Sequence, residues 1–166
     1  VRPRRFTVAL AGQPNAGKST LFNLLTGLSQ HVGNWPGKTV EQRSGTHAHE
    51  ELLLEIVDLP GTYSLTAASQ EEVVAREFLI RSQPDAVIAV INAAQLERHL
   101  YLVAELALLP VPLVVAVNMM DVAEREGLRL DIAGLAAALG VPVMPAVASR
   151  NQGIAELIRT VVGVLQ

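Results

Sequence analysis

The 166-residue chain has no cysteine, which excludes disulfides, a thiolate zinc site and a protein-ligated iron–sulfur cluster. It has no excess of basic charge either. Thirteen Lys and Arg against 16 Asp and Glu leave a net charge of −3, and the one basic cluster, within residues 1–5, reads as a disordered terminal tail. A nucleic-acid face is therefore not expected. The most apolar stretch, residues 100–117, is broken by Glu105, Pro110 and Pro112, so it divides into an amphipathic helix and a buried strand instead of a membrane span. Repeats, low-complexity segments, internal linkers and a signal peptide are all unrecognisable. What the chain does have is 50% hydrophobic residues, enough to cover the core of one compact α/β domain over residues 1–166.

Strand-like segments at residues 6–11, 40–49, 52–57, 86–91, 113–117 and 141–145 alternate with helix-like segments from Lys18 and at 70–81, 96–109, 132–139 and 154–165. That alternation predicts a mostly parallel, six-stranded sheet with helices on both faces. A polar hairpin around His49 and Glu50 makes one edge strand antiparallel. Ligands of such sheets gather at the carboxyl ends of the strands.

At the end of the first strand stands Gly12-Gln13-Pro14-Asn15-Ala16-Gly17-Lys18-Ser19, followed by Thr20 and a helical pattern. This is a phosphate-binding loop in the context it requires. Glycines let successive N–H groups turn inward on an anion, and the helix adds the positive end of its dipole. Lys18 is placed to reach the β- and γ-phosphates and Ser19 to ligate Mg²⁺. The identity of the base is written further along. The strand ending at 117 runs into Asn118-Met119-Met120-Asp121, which fits the N-x-x-D pattern that reads guanine. A carboxylate at Asp121 accepts from the ring N–H and the 2-amino group of guanine, and adenine has no such amino group. Asn118 braces the loop, and Met119 stands where Lys is more usual, so a thioether packs against the base.

Two switch elements fall between these motifs, in an order that resembles a Ras-like P-loop GTPase fold, whose sheet has the same antiparallel edge strand. Asp58-Leu59-Pro60-Gly61 follows a strand, so Asp58 can hold a Mg²⁺-bound water and the Gly61 N–H can meet the γ-phosphate. Upstream, residues 33–39 form a Gly/Pro-rich loop through Gly37 and Lys38 to Thr39, whose hydroxyl can complete the Mg²⁺ shell when a γ-phosphate is present. Thr62 occupies the position where many GTPases have a water-positioning Gln, so slow basal hydrolysis is expected.

The wording of these segments resembles the cytoplasmic G domain of the FeoB family, ferrous iron transport protein B. HVGNWPGKTVEQRSG is similar to that family's first switch, DLPGTYSL with SQEEVVAREFL to its second, and LERHLYLVAEL and NMMD to later segments. The resemblance covers residues 6–159. It implies GTP binding and hydrolysis with Mg²⁺, regulation of Fe²⁺ passage, and a place on the cytoplasmic face of the bacterial inner membrane. The family continues into a helical regulatory domain and a transmembrane permease region, so the chain is expected to be a piece of a longer protein with those regions as partners; oligomerisation is left open. Ala148 and Ser149 replace the family's Ser-Ala order in the base-contact loop, where the Ser149 N–H is the expected donor to the guanine oxygen. Lys38 adds a cation near the phosphates, and Asn92 replaces a frequent Asp. Asn15 matches the Asn of potassium-activated GTPases, which implies a K⁺ site beside the phosphates that offsets charge in the transition state.

Other polar residues read as surface. His47 and His49 share a strand face that is more simply exposed than metal-binding, His31 and His99 have no partner at helical spacing, and Glu71, Glu72 and residues 124–126 read as solvated. Two other functions fit the motifs: a potassium-dependent GTPase acting on tRNA or the ribosome, and a nucleotide-sensing module with negligible turnover.

Overall fold

β1 (Arg4–Gly12) is apolar over its second half because it runs through the middle of the sheet with both faces covered. The structure, a computed structural model, describes residues 2–166. β1 pairs in parallel with β4 (Leu52–Asp58) on one side and β5 (Ala86–Asn92) on the other. β6 (Leu113–Asn118) and β7 (Val143–Pro145) extend the parallel array beyond β5. Beyond β4, β3 (Glu41–His49) pairs antiparallel through a two-residue turn, with Glu50 in the left-handed region at φ 52°. The expected mostly parallel sheet with an antiparallel edge is present, but it has seven strands, in the order β2-β3-β4-β1-β5-β6-β7. The additional strand, β2 (His31–Asn34), pairs antiparallel with residues 41–44. All four of its residues are exposed, so burial imposes no alternation on its sequence.

Alternate residues of the strands feed two separate cores. On one face, Val8, Leu10, Ile56 and Ile88 pack under α1 (Lys18–Thr26) and α6 (Ile154–Leu165), through Phe22, Leu25, Leu157 and Val161. On the other, Ala9, Val57, Ala89 and Val115 pack under α2 (Gln70–Glu77), α3 (Leu96–Ala107), α4 (Met120–Arg125) and α5 (Ile132–Leu139). Each fully buried aliphatic side chain contributes about 1.5–3 kcal/mol of transfer free energy, so the sheet is anchored from both sides. α2 continues as one wide π turn, Phe78–Ser82.

Two expectations change. Arg4 and Arg5 are not tail residues: they are strand residues opposite Leu52 and Leu53, and the Arg4 guanidinium lies 5.3 Å from the Phe6 ring centre. Val1 lies outside the described residues. His99, read as a surface group, is only 3% exposed, because the apolar stripe of α3 turns it into the packed face beside Leu102, Val103 and Leu106.

Burial, reinforced by the Arg98 charge, lowers the His99 pKa from its ordinary value, and Nδ1 has no hydrogen-bond partner. The unfolded chain therefore takes up a proton near pH 6.5, where the folded chain does not. The stability this confers is present above that pH and falls as pH drops toward the folded pKa. Urea unfolding of the parent and His99→Leu from pH 7.5 to 5.5 should show a smaller loss of stability for the variant; parallel curves would contradict the assignment.

Candidate functional site

β1 delivers the chain to the phosphate-binding loop under tight steric control. A Cβ at Gly12 would sit 2.6 Å from the Val90 carbonyl oxygen of β5, so the strand can end there only in glycine. The loop then turns through two left-handed residues, Asn15 at φ 69° and Gly17 at φ 86°, and α1 starts at Lys18 with no side chain capping its N-terminus. The resulting hollow, about 350 Å³, is lined by Gln13, Pro14, Asn15, Gly17, Lys18, Ser19, Thr20 and Gly61. Its floor is backbone and the positive end of a helix, which suits an anion.

Asn118, at the end of β6, is buried and bonded on both sides. Its Nδ2 donates to the Ala16 carbonyl at 3.1 Å, and its Oδ1 accepts from the Ala148 N–H at 2.9 Å. One side chain thus ties the phosphate loop, the strand end and the turn Ala148–Arg150 into a fixed arrangement. A Cβ on Gly17 would lie 2.1 Å from this amide nitrogen and 3.5 Å from the Met119 methyl, so Met119 packs over the loop. Met119 is itself left-handed, at φ 61°, which turns the chain into α4 and sets Asp121 in its first turn. Asp121 is largely buried and lies 3.8 Å from Arg125. With the Ala148 N–H committed to Asn118, Ser149 offers the next N–H of the turn.

The second switch touches the loop directly. Lys18 Nζ donates to Asp58 Oδ1 and to the Leu59 carbonyl, the latter at 2.7 Å. Burial raises the Asp58 pKa from its ordinary value, while the Lys18 charge and hydrogen bond work in the opposite direction. Gly61 lies against Pro14, where a Cβ would approach within 3.1 Å, and the buried Thr62 donates its N–H to the Gly12 carbonyl at 3.0 Å. The structure thus brings together the loop, Asp58, Gly61, Asn118 and the 148–149 turn. Gly37, Lys38 and Thr39 do not line the hollow; the Thr39 hydroxyl donates to Gln70 Oε1 of α2 at 3.4 Å.

Several couplings were not foreseen. The Gln13 side chain, expected at the nucleotide, donates to the Arg98 carbonyl and links the loop to α3. Glu105 of α3 accepts from the Leu65 N–H with both oxygens, each at 3.2 Å. Glu72, read as solvated, accepts from the Ala68 N–H at 3.0 Å while Ser69 caps its own N–H at 3.1 Å; the spacing of Ser69 and Glu72 carries that signal. Asn92 caps the turn after β5 by accepting from the Ala94 N–H at 2.9 Å. His47 is tied by Nδ1 to the Leu25 carbonyl at 2.9 Å, and among the described residues no group of three or more His, Cys, Asp or Glu is placed to hold a metal.

A family model described as ferrous iron transport protein B matches residues 6–161. The Fe(2+) transporter FeoB of Shigella flexneri is 45% identical over 158 residues, which cover 93% of this chain and 20% of that protein. The chain therefore spans about a fifth of the length of the curated relatives it matches. Among solved structures, the cytosolic domain of L. pneumophila FeoB superposes with a TM-score of 0.93 at 48% identity, covering 95% of this chain and 63% of that one. The cytosolic domain of the T. maritima FeoB iron transporter in a GDP form gives 0.94 at 38%, covering 99% and 64%.

Truncating the bridging amide tests whether it organises the site. Asn118→Ala leaves the Ala16 carbonyl and Ala148 N–H without their partner and should destabilise the nucleotide-free chain by about 2–4 kcal/mol in urea unfolding. A loss below about 0.5 kcal/mol, the level of an ordinary surface substitution, would contradict the bridge.

Proposed function

The chain belongs to the ferrous iron transport protein B family as its G domain, and from that premise we propose that it is a slowly GTP-hydrolysing, Mg²⁺-dependent and K⁺-activated switch for a ferrous iron transporter. It works at the cytoplasmic face of the bacterial inner membrane, with the helical regulatory domain and the permease region of the full-length protein as its partners. The observation that carries this reading is the Asn118 bridge, which joins the phosphate loop to the Ala148–Arg150 turn at one strand end. The GDP form of the T. maritima relative supports it.

In this reading Asp121 accepts from guanine, Ser149 donates its N–H to the guanine oxygen, and Met119 packs against the base. Backbone N–H groups of residues 13–18, the α1 N-terminus and Lys18 hold the phosphates. The hydroxyls of Ser19 and Thr39 and the carboxylate of Asp58 are hard oxygen donors that fit Mg²⁺, which when bound neutralises charge on the β- and γ-phosphates. Because Lys18 is bonded to Asp58, its transfer to a bound phosphate would free that carboxylate to help hold the metal. Phosphate and metal binding are thereby coupled through one ion pair. Gly61, held against Pro14, presents its N–H to the γ-phosphate. Asn15 lines the hollow with a side-chain oxygen that suits K⁺, whose charge supplements that of Lys18.

Thr62 is buried and its N–H is bonded to Gly12, so its contribution is to hold the switch backbone in place. Single-turnover hydrolysis should therefore depend on the monovalent cation more than on Thr62. Replacing Na⁺ by K⁺ at constant ionic strength should raise the rate on the order of 10-fold or more. Asn15→Ala should remove most of the gain while Mg²⁺–GDP binding persists, and Thr62→Ala should change the rate only a few-fold. Equal parent rates in the two cations would return Asn15 to a structural role.

A further inference from the structure

The first switch is docked on α2 at two points. At the start of α2, Gln70 accepts the hydrogen bond from Thr39 at 3.4 Å. At its end, the Trp35 indole meets the Phe78 ring edge-on, with centres 5.5 Å apart and planes at 71°. Between these points the switch closes on itself: the Trp35 backbone N–H donates to the Val40 carbonyl and the Lys38 backbone N–H to the Trp35 carbonyl, both at 2.9 Å. Thr39 and Trp35 therefore move as one piece.

The docked indole is held and strained at once. Trp35 is 9% exposed within the core formed by Val40, Val74 and Leu79, and the edge-on ring contact favours that position. Its Nε1, however, is buried with no hydrogen-bond partner, so the N–H has given up water without replacement. Such a seat is favourable enough to occupy and costly enough to leave. Phe78 is half-buried and opens the π turn Phe78–Ser82, an irregularity frequent at functional sites. A groove of about 240 Å³ beside it, bordered by Pro36, Lys38, Glu77 and Arg81, gives the indole room to shift without repacking the core.

We propose that Phe78 is a positioning residue for the first switch: it seats Trp35, and with it Thr39, against α2 in the GDP state, and GTP binding must unseat the indole before Thr39 can leave Gln70. Phe78 thereby sets the preference between GTP and GDP without touching either. This rests on the reading of Thr39 as a Mg²⁺ ligand that needs the γ-phosphate. The energetic logic is a two-state equilibrium. Weakening one state's contact raises the affinity of the ligand that selects the other by at most the same factor.

The test uses the emission of Trp35, the only Trp of the chain, together with the affinities for GDP and a non-hydrolysable GTP analogue in Mg²⁺. Replacing GDP by the analogue should shift parent emission to the red. Phe78→Ala should be red-shifted already with GDP and should raise the ratio of analogue to GDP affinity by about 5-fold or more. Phe78→Tyr, which keeps the ring edge, should restore parent behaviour, and Gln70→Ala should move the ratio in the same direction by less. Phe78→Leu serves if the Ala variant loses its far-ultraviolet dichroism. Unchanged emission and ratio in the Phe78 variants, with a parent that still responds to the analogue, would overturn the seat and leave the switch reading intact. A parent that binds both nucleotides with identical emission would overturn motion of the first switch. A parent that binds neither would overturn the proposed function and this inference together.

Discussion

One buried amide holds the site together. Asn118 satisfies an acceptor from the phosphate loop and a donor from the 148–150 turn, two segments that would otherwise be positioned only by their own strands. In a low-dielectric interior such a bond is strong when made and expensive when half-made, so both segments are fixed in one relative placement. Gly17 completes the constraint from the other side, because any side chain there would collide with the same amide. The phosphate loop and the 148–150 turn are consequently held in one relative placement. The pair of switch segments lies around them.

Those segments are fastened to the body and to each other by long-range polar contacts of modest strength. Lys18 reaches Asp58 and Leu59 of the second switch, Thr62 is pinned to Gly12, and Glu105 of α3 holds the Leu65 N–H. The first switch leans on α2 through Trp35 and Thr39. The first switch is therefore linked to the second both through that helix and through the β3–β4 pairing that sets Arg43 opposite Asp58. Segments held by a few exchangeable contacts over a fixed base are the kind of element that can convert ligand chemistry into displacement.

The parts legible in the sequence are those whose cause is local. The phosphate loop is readable because its glycines answer to steric limits within the loop and the adjoining strand, and β1, β5 and β6 are readable because burial on both faces demands continuous apolar runs. β2 is invisible to the same method, since no face of it is buried. The burial of His99 depends on which side of α3 meets the sheet, and a single polar residue among apolar neighbours does not announce it. The Glu105 bond joins residues 40 apart, and Trp35 meets a ring 43 positions away, so neither has a local signature. Glu72 differs in kind: its capping spacing with Ser69 is written in the sequence, although a glutamate there also reads as a solvated charge.

In the proposed function, the arrangement of Gly17, Asn118 and Asp121 at the end of β6 reads guanine. Calorimetric titration of the parent and of Asp121→Asn with GDP, ADP and xanthosine diphosphate in Mg²⁺ tests it most directly. The parent should bind GDP at least about 10³-fold more tightly than ADP, because a site built around an acceptor for the 2-amino group leaves that acceptor unpaired with adenine. The variant should lose GDP and gain xanthosine diphosphate, whose oxo group needs a donor. Equal affinity of the parent for GDP and ADP, or a variant that retains GDP, would contradict the account.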